Sequence, residues 1–211
     1  MHKPVMTSND QHTSAGLSAI DVFKKSGNEP FEINKKPTGI VLLDFWKWAY
    51  SDLVGNTERG IFSEFIIASA LGVDTNVQLS FKAYDLDYNG VKIEVKSSAY
   101  LQTWYQSKLS SIRFSISKSK AWDPKSNTYE DTPQRQSDYY IFCLLHHQVQ
   151  ETLNPLDLEQ WTFYITKTNA LDAKCGEASS ISLSRLERMG AIKCKYDEIK
   201  VILDRLVCKC D

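Results

Sequence analysis

The sequence lacks any apolar run long enough to cross a lipid bilayer. Its apolar runs, such as residues 65–70, which a serine interrupts, are far shorter than the roughly 18 residues that a membrane span needs. The N-terminal residues also lack the apolar core of a signal peptide. We therefore expect no membrane-spanning helix, no contact with a membrane and a cytoplasmic location.

Cysteine pairs, excess charge and common enzyme signatures are missing as well. The five cysteines include no CxxC pair, which argues against a disulfide framework or a four-cysteine zinc site. The 25 basic and 26 acidic residues nearly cancel, so any surface for a polyanion must be local. The sequence contains no GxGxxG, Walker, GxSxG or HExxH motif. The corresponding dinucleotide-binding, NTP-binding, esterase and zinc-protease classes are not indicated.

The chain of 211 residues is 42% hydrophobic, a length and composition that suit one sizeable domain. Residues 1–38 are polar and show little periodicity, which predicts a flexible N-terminal arm. A dense apolar pattern begins at Ile40. The sequence therefore predicts an arm followed by one domain over residues 39–211.

Two helices are predicted before the first strand. Residues 40–53 are apolar nearly all round, which predicts a largely buried helix. Thr57 is a suitable N-cap for a second helix that ends at Leu71, and Gly72 occupies the position that favours glycine after a helix.

The rest of the chain predicts a mixed central sheet flanked by helices, an α/β fold. Asn89-Gly90 stands between two β-prone runs and indicates a hairpin. Residues 138–145 are almost entirely apolar, as expected of a central strand. The strands are predicted at 77–86, 91–97, 112–116, 138–145 and 161–166, and the later helices at 169–174, 182–189 and 196–207.

The hairpin carries the most informative polar residues. Side chains alternate along a strand, so Glu94 and Lys96 point one way while Ile93 and Val95 point into the core. Across the hairpin, Asp85 is expected to bring its carboxylate near Glu94. Two carboxylates beside a lysine form a hard-oxygen site suited to Mg²⁺, which binds through one or two carboxylates together with substrate phosphate.

Several interpretations of these residues stay open at this point. Glu94 and Lys96 also suit an ordinary solvated strand face. Asp87 competes with Asp85 for a metal-binding role, but the strand-like Tyr-Asp-Leu context favours Asp85, whereas Asp87 is expected to belong to the turn. Glu64 lies within an apolar helix, where a carboxylate is costly unless it binds a metal or forms a buried ion pair with Arg59 or a lysine.

The order of these residues resembles the PD-(D/E)XK nuclease superfamily, which has the restriction-endonuclease-like fold. The resemblance covers roughly residues 57–145: a helix bearing Glu64, Asp85 at a strand end, and Glu94-x-Lys96 on the partner strand. Tyr84 stands where the family pattern has proline. The resemblance implies that Asp85 and Glu94 bind Mg²⁺ or Mn²⁺, that Glu64 is an accessory ligand, and that Lys96 assists catalysis.

The segment after the hairpin favours a nucleic-acid substrate. Residues 95–125 contain six basic residues and one acidic residue, with eight serines and several aromatic residues among them. Such groups contact phosphates and stack on bases, although the same composition suits a solvated basic face. The resemblance places Ser97, Ser98 and Gln102 beside the site. The basic residues predicted to bind nucleic acid are Lys108, Arg113, Lys118 and Lys120.

Together these patterns predict a metal-dependent nuclease that hydrolyses phosphodiester bonds, with double-stranded DNA as the expected substrate. Restriction, defence and repair roles follow equally from the resemblance. A homodimer is expected if both strands of a duplex are cut, because one chain offers one site. The alternatives are an inactive nucleic-acid-binding module of the same fold and a protein-interaction domain.

Overall fold

The computed structural model describes residues 20–73, 77–78, 82–123 and 127–208. In these ranges the strands are β1 (Pro30–Ile33), β2 (Lys36–Val41), β3 (Leu86–Tyr88), β4 (Val91–Ala99), β5 (Arg113–Ser115), β6 (Trp122–Asp123), β7 (Thr128–Tyr129), β8 (Tyr139–Leu145), β9 (Trp161–Lys167), β10 (Ser180–Ser182) and β11 (Ile192–Cys194). The helices are α1 (Leu42–Tyr50), α2 (Asn56–Leu71), α3 (Thr168–Cys175), α4 (Leu183–Arg188) and α5 (Ile199–Val207), with short 3₁₀ turns at Gln150–Thr152, Leu158–Gln160 and Tyr196–Glu198.

A five-stranded mixed sheet forms the centre of the fold, in the order β3-β4-β8-β9-β11. In this sheet β4 and β8 are parallel, and the other neighbouring strands, β3–β4, β8–β9 and β9–β11, are antiparallel. Helices lie on both sides of the sheet, so the predicted α/β class with a mixed central sheet is confirmed. None of the helices in the described ranges is long and apolar enough to cross a membrane.

The strand β8 joins two apolar cores because its side chains alternate between the faces of the sheet. Ile141 packs with residues of α2 and α5 in one core, whereas Phe142 packs with residues of β5, β10, α3 and α4 in the other. All seven residues of β8 are buried. Its apolar sequence follows from burial on both faces, and the prediction of a central strand is confirmed.

The hairpin of β3 and β4 positions the polar residues singled out above. Asn89 and Gly90 form its turn with φ values of 54° and 82°, as a two-residue hairpin turn of this twist requires. Ile93 and Val95 are buried, as predicted. β3 begins only at Leu86, so the described residues before it do not form the predicted strand over 77–86, while residues 79–81 lie outside the described ranges.

The second predicted helix is confirmed, with a small shift at its start. α2 begins at Asn56 with Gly55 as N-cap, whereas the sequence predicts the cap at Thr57. It ends at Leu71, and Gly72 adopts the left-handed conformation with φ 66°.

The prediction of a buried first helix is wrong. α1 has no buried residue, and Trp48 is 85% exposed. The reason is tertiary: the helix follows an exposed hairpin of β1 and β2 and lies beside a cleft instead of inside a core.

That N-terminal hairpin also changes the predicted order of elements. β1 and β2 precede α1, although two helices are expected before the first strand. Their side chains are almost all exposed, so they lack the buried alternation by which a strand is recognised. The boundary predicted between residues 38 and 39 falls inside β2, and residues 30–38 of the predicted arm form regular structure. Residues 1–19 lie outside the described ranges.

Candidate active site at the hairpin of β3 and β4

Glu94 and Lys96 lie on the same face of β4, two residues apart. The Lys96 Nζ atom is 2.6 Å from Glu94 Oε1, and both side chains are partly buried, with exposed fractions of 30% for Lys96 and 18% for Glu94. This ion pair is therefore more shielded from solvent than a typical surface pair.

Asp85 reaches the same site from the other side of the hairpin. Its backbone N–H donates to the Ile93 carbonyl at 3.0 Å, which extends the β3–β4 pairing by one position. Its carboxylate accepts a hydrogen bond from the Val95 N–H at 2.7 Å. This bond holds the Asp85 carboxylate against β4, between the positions of Glu94 and Lys96.

Asp87 has a different place in the hairpin. It is exposed, and its Oδ1 atom accepts a hydrogen bond from the Gly90 N–H at 2.9 Å, so it closes the turn. Of the two aspartates left open by the sequence, the structure brings Asp85 to the Glu94–Lys96 pair.

Glu64 joins these residues from α2, where its side chain is partly buried. Gln78 Nε2 donates a hydrogen bond to Glu64 Oε2 at 3.3 Å. Arg59, the alternative ion-pair partner, directs its guanidinium to the Val54 carbonyl and to Asn56 Oδ1, each at 2.7 Å. Glu64 and Asp85 line the same cleft, and the charges of Asp85, Lys96 and Glu94 act on Glu64, so we call Glu64, Asp85, Glu94 and Lys96 the acid–lysine cluster.

Burial and mutual repulsion control the electrostatics of this cluster. Burial, reinforced by the negative charge of Asp85, raises the pKa of Glu64 to about 7. Burial also raises the pKa of Asp85 and of Glu94, and the charge of Asp85 adds to the rise at Glu94. Burial alone would lower the pKa of Lys96, but the attraction of Glu94 and Asp85 outweighs it and raises that pKa. Lys96 therefore keeps its proton and its positive charge, whereas the three carboxyls beside it are costly to ionise.

The cluster offers carboxylate oxygens, the kind of donor that divalent cations such as Mg²⁺ bind. Among the residues that the structure describes, no group of three or more acidic, histidine or cysteine side chains is arranged so that together they could hold a metal ion. Mg²⁺ needs no such group, because it is usually held by one or two carboxylates and completes its coordination with water and substrate phosphates. Asp85 and Glu94 are the two carboxylates whose chemistry suits this mode, and metal binding by Asp85, Glu94 and Glu64 stays a prediction.

The residues predicted to flank the site differ in the groups that they contact. Ser97 accepts a hydrogen bond from Arg59 Nε at 3.4 Å, while Ser98 lies on the same face of β4 as Glu94 and Lys96 by strand alternation. The Gln102 amide donates to the Ala99 carbonyl at 3.0 Å. Gln102 thus fastens the loop after β4, and its predicted contact with substrate stays a prediction.

The predicted basic residues lie on and around β5. Lys108, Arg113 and Lys120 are exposed, which leaves them accessible to phosphate. Lys118 forms an ion pair with Glu177 at 2.5 Å, so part of its charge is already neutralised. Their role in nucleic-acid binding stays a prediction.

Two features of the site are not predicted by the sequence patterns. The first is Arg59, which is 3% exposed and links α2 to β4 through Ser97. Its spacing contains the signal: Arg59, Ser63, Ile66 and Ile67 follow a helical period, and all four are buried. An arginine on that stripe must find buried partners.

The second such feature is a cleft of about 980 Å³ between α1 and α2, which Glu64 and Asp85 help to line. Its other walls are largely aromatic and aliphatic. The sequence signal for it is the apolar character of α1, which by itself does not distinguish the wall of a cleft from burial in a core.

Comparisons with known proteins add no relative: no protein-family model, no curated protein sequence and no solved structure matches this chain.

Proposed function

We propose that this protein is a metal-dependent nuclease that hydrolyses phosphodiester bonds in DNA, with the restriction-endonuclease-like form of the α/β fold. The observation that carries the proposal is the acid–lysine cluster. A hairpin and a helix bring three carboxylates and one lysine together, and the carboxylates are partly buried at an energetic cost. Carboxylates that the fold removes from water, although burial disfavours their charged form, are typical of functional sites.

Each residue of the cluster has a distinct role in the proposal. Asp85 and Glu94 would hold Mg²⁺ or Mn²⁺, with Glu64 as an accessory carboxylate. When bound, the metal supplies Lewis acidity toward the scissile phosphate and the attacking water. Lys96 acts as a cation instead of a base, since its neighbours keep it protonated. It orients the water and stabilises negative charge that develops on the phosphate.

The proposed substrate is DNA, with the exposed basic residues near β5 as phosphate contacts. Lys108, Arg113 and Lys120 would contribute to affinity without reading sequence. A homodimer would supply two sites for the two strands of a duplex. Light scattering with and without duplex DNA tests this part of the proposal.

A cleavage assay tests the activity itself. Plasmid, linear duplex, single-stranded DNA and RNA are incubated with Mg²⁺, Mn²⁺ or EDTA. We expect cutting only with metal, and a loss of about 100-fold or more in rate for Glu94→Gln and for Lys96→Ala. Failure to cut any of these substrates in either metal would contradict the proposal.

The two aspartates of the hairpin provide a matched control. Asp85→Asn and Asp87→Asn make the same chemical change two residues apart. We expect Asp85→Asn to abolish cutting and Asp87→Asn to retain it, because Asp87 closes the turn. Equal activity of the two variants would exclude the proposed site. Metal-independent DNA binding without cutting would instead favour the inactive binding module.

A further inference from the structure

The cleft beside the acid–lysine cluster is lined by apolar stripes on two helices. On α1, Leu42, Trp46 and Tyr50 recur every four residues and share one face; on α2, Ile61 and Phe65 do the same. Such stripes normally pack against each other directly. Here both stripes line a cleft of about 980 Å³, near the upper end of the roughly 300–1,000 Å³ of small-ligand sites.

The aromatic wall on the α1 side is held in place by local packing. A Cβ atom at Gly27 would lie 3.1 Å from Trp46 Cζ3, so the backbone of this segment lies directly against the indole ring. The Leu43 N–H donates to the Gly27 carbonyl at 2.8 Å. Phe23, which also lines the cleft, is carried by the same segment. The Trp46 ring is therefore fixed against the backbone at Gly27 without a ligand.

Phe65 and Phe23 keep large exposed areas within this cleft, with exposed fractions of 56% and 72%. Exposed rings in a concave apolar site favour a flat, apolar-faced ligand. The cleft is also lined by Glu64 and Asp85, whose charges repel a phosphate where no cation intervenes. An uncharged aromatic ring such as a nucleobase fits these walls better than a phosphate does.

A nucleobase can enter only if it is free of its partners. In a duplex, neighbouring base pairs cover both faces of each base, so a protein ring can stack on a base only in single-stranded or extruded form. The cleft shares Glu64 and Asp85 with the cluster, which places a bound base next to the proposed site of phosphate chemistry. Lys25 and Lys82 also line the cleft and suit the adjoining backbone phosphates.

We propose that the cleft binds the base of an unpaired nucleotide, so that the enzyme acts on single-stranded DNA or on a nucleotide extruded from a duplex. This inference rests on the proposed nuclease function and replaces its continuous duplex with a substrate that is unpaired at the site.

Binding measured without turnover tests the inference. A fluorescein-labelled single strand, and the same strand in a duplex, are titrated with protein in EDTA and in Ca²⁺, and anisotropy is recorded. A second single strand carries one 2-aminopurine, whose fluorescence reports stacking. We expect the single strand to bind about tenfold or more tightly than the duplex. Phe65→Ala should weaken single-strand binding by about 5- to 100-fold. It should also abolish the change in 2-aminopurine fluorescence that stacking causes when the strand binds.

Phe65→Leu and Trp48→Ala complete the design. Leucine keeps apolar bulk at residue 65 but lacks an aromatic face, so it should also lose the 2-aminopurine signal even if Phe65→Ala disturbs folding. Trp48 lies on α1 but is 85% exposed and outside the cleft lining, so Trp48→Ala should bind like wild type. Equal affinity for single strand and duplex, or equal effects of the variants at 65 and 48, would overturn the inference.

The two proposals fail in different ways. Metal-dependent cutting of duplex DNA that Phe65→Leu leaves unchanged would overturn the unpaired-base inference and leave the nuclease intact. Phe65-dependent binding of single strands with no cutting in any metal would support the cleft as a base site and overturn the nuclease.

Discussion

At the scale of single residues, the most informative group is the Glu64 carboxyl. In the unfolded chain its pKa is near the ordinary value for glutamate, whereas in the folded protein it is about 7. Between these two values the folded state keeps a proton that the unfolded state releases. The free energy of unfolding therefore falls as the pH rises through this range, and the penalty is complete above pH 7.

Replacing Glu64 with glutamine removes this penalty. Without divalent metal, we expect Glu64→Gln to raise the free energy of unfolding by roughly 1–2 kcal/mol at pH 8, less than the full pKa shift implies because water screens this partly exposed carboxyl, and to change it little near pH 4.5. Urea denaturation in EDTA at the two pH values measures the difference. Glu151→Gln, the same change at an exposed residue, is the control. A pH-independent effect of Glu64→Gln would contradict the assigned burial of this carboxyl.

Arg59 is the second residue whose surroundings predict a clear effect. Its guanidinium is buried, and it satisfies the Val54 carbonyl and the Asn56 side chain. We expect Arg59→Met to cost about 2–4 kcal/mol of stability, because those acceptors lose their donor. Arg59→Lys should recover only part of this, since an ammonium cannot reproduce the planar fork. A wild-type denaturation midpoint for Arg59→Met would refute this account.

At the scale of elements, α2 connects the core to the site. Its buried stripe packs against β4, while its neighbouring faces carry Glu64 and the apolar wall of the cleft. One helix therefore serves the fold and the site at once. Its length and end are predictable because Gly72 is a local signal, but the choice of neighbours for each face is not.

Gly60, inside α2, and Gly72, directly after its end, allow a matched test of the helix geometry. Gly72 has φ 66°, and a Cβ atom added there would meet no atom of the described residues within 4 Å apart from its chain neighbours; Gly60, inside the helix, likewise has open space at that position. We expect Gly72→Ala to destabilise the protein by about 1 kcal/mol through its left-handed backbone. Gly60→Ala should stabilise it by up to about 1 kcal/mol through helix propensity. Thermal or urea denaturation measures both, and equal signs would contradict the assigned end of α2.

The elements also show where local patterns mislead. Residues 40–53 look like a core helix because nearly every side chain is apolar, yet α1 is exposed or lines a cleft. β1 and β2 are missed for a different reason: because both of their faces are exposed, their side chains give no alternation of buried and exposed residues to recognise. In both cases the pattern describes what a segment could bury, while burial depends on what is packed against it.

At the scale of the whole molecule, one strand holds the two cores together. Ile141 and Phe142 are adjacent on β8, are both fully buried, and face opposite cores. We expect Ile141→Ala and Phe142→Ala each to cost about 3–5 kcal/mol. Because both cores share β8, both variants should shift one common unfolding transition. Calorimetry that resolved two transitions, each sensitive to only one variant, would show that the cores unfold independently.

The cluster illustrates how much of the site is within reach of the sequence. Asp85, Glu94 and Lys96 belong to one hairpin, so strand alternation and a two-residue turn suffice to predict their proximity. Glu64 is about twenty residues away along the chain, and its predicted placement depends on a family resemblance. No local rule brings it to the hairpin. The aromatic cleft requires two helices at a particular separation, which no pattern within either helix encodes.

The sequence by itself determined the class of the fold, the central position of β8, the β3–β4 hairpin and the end of α2, because these depend on interactions between residues close in the chain or on burial demanded by apolar composition. Only the tertiary structure decided that Glu64 meets the hairpin of β3 and β4 and that α1 borders a cleft. These outcomes depend on which surfaces face each other across long chain separations, and packing, unlike propensity, acts only once the chain has folded.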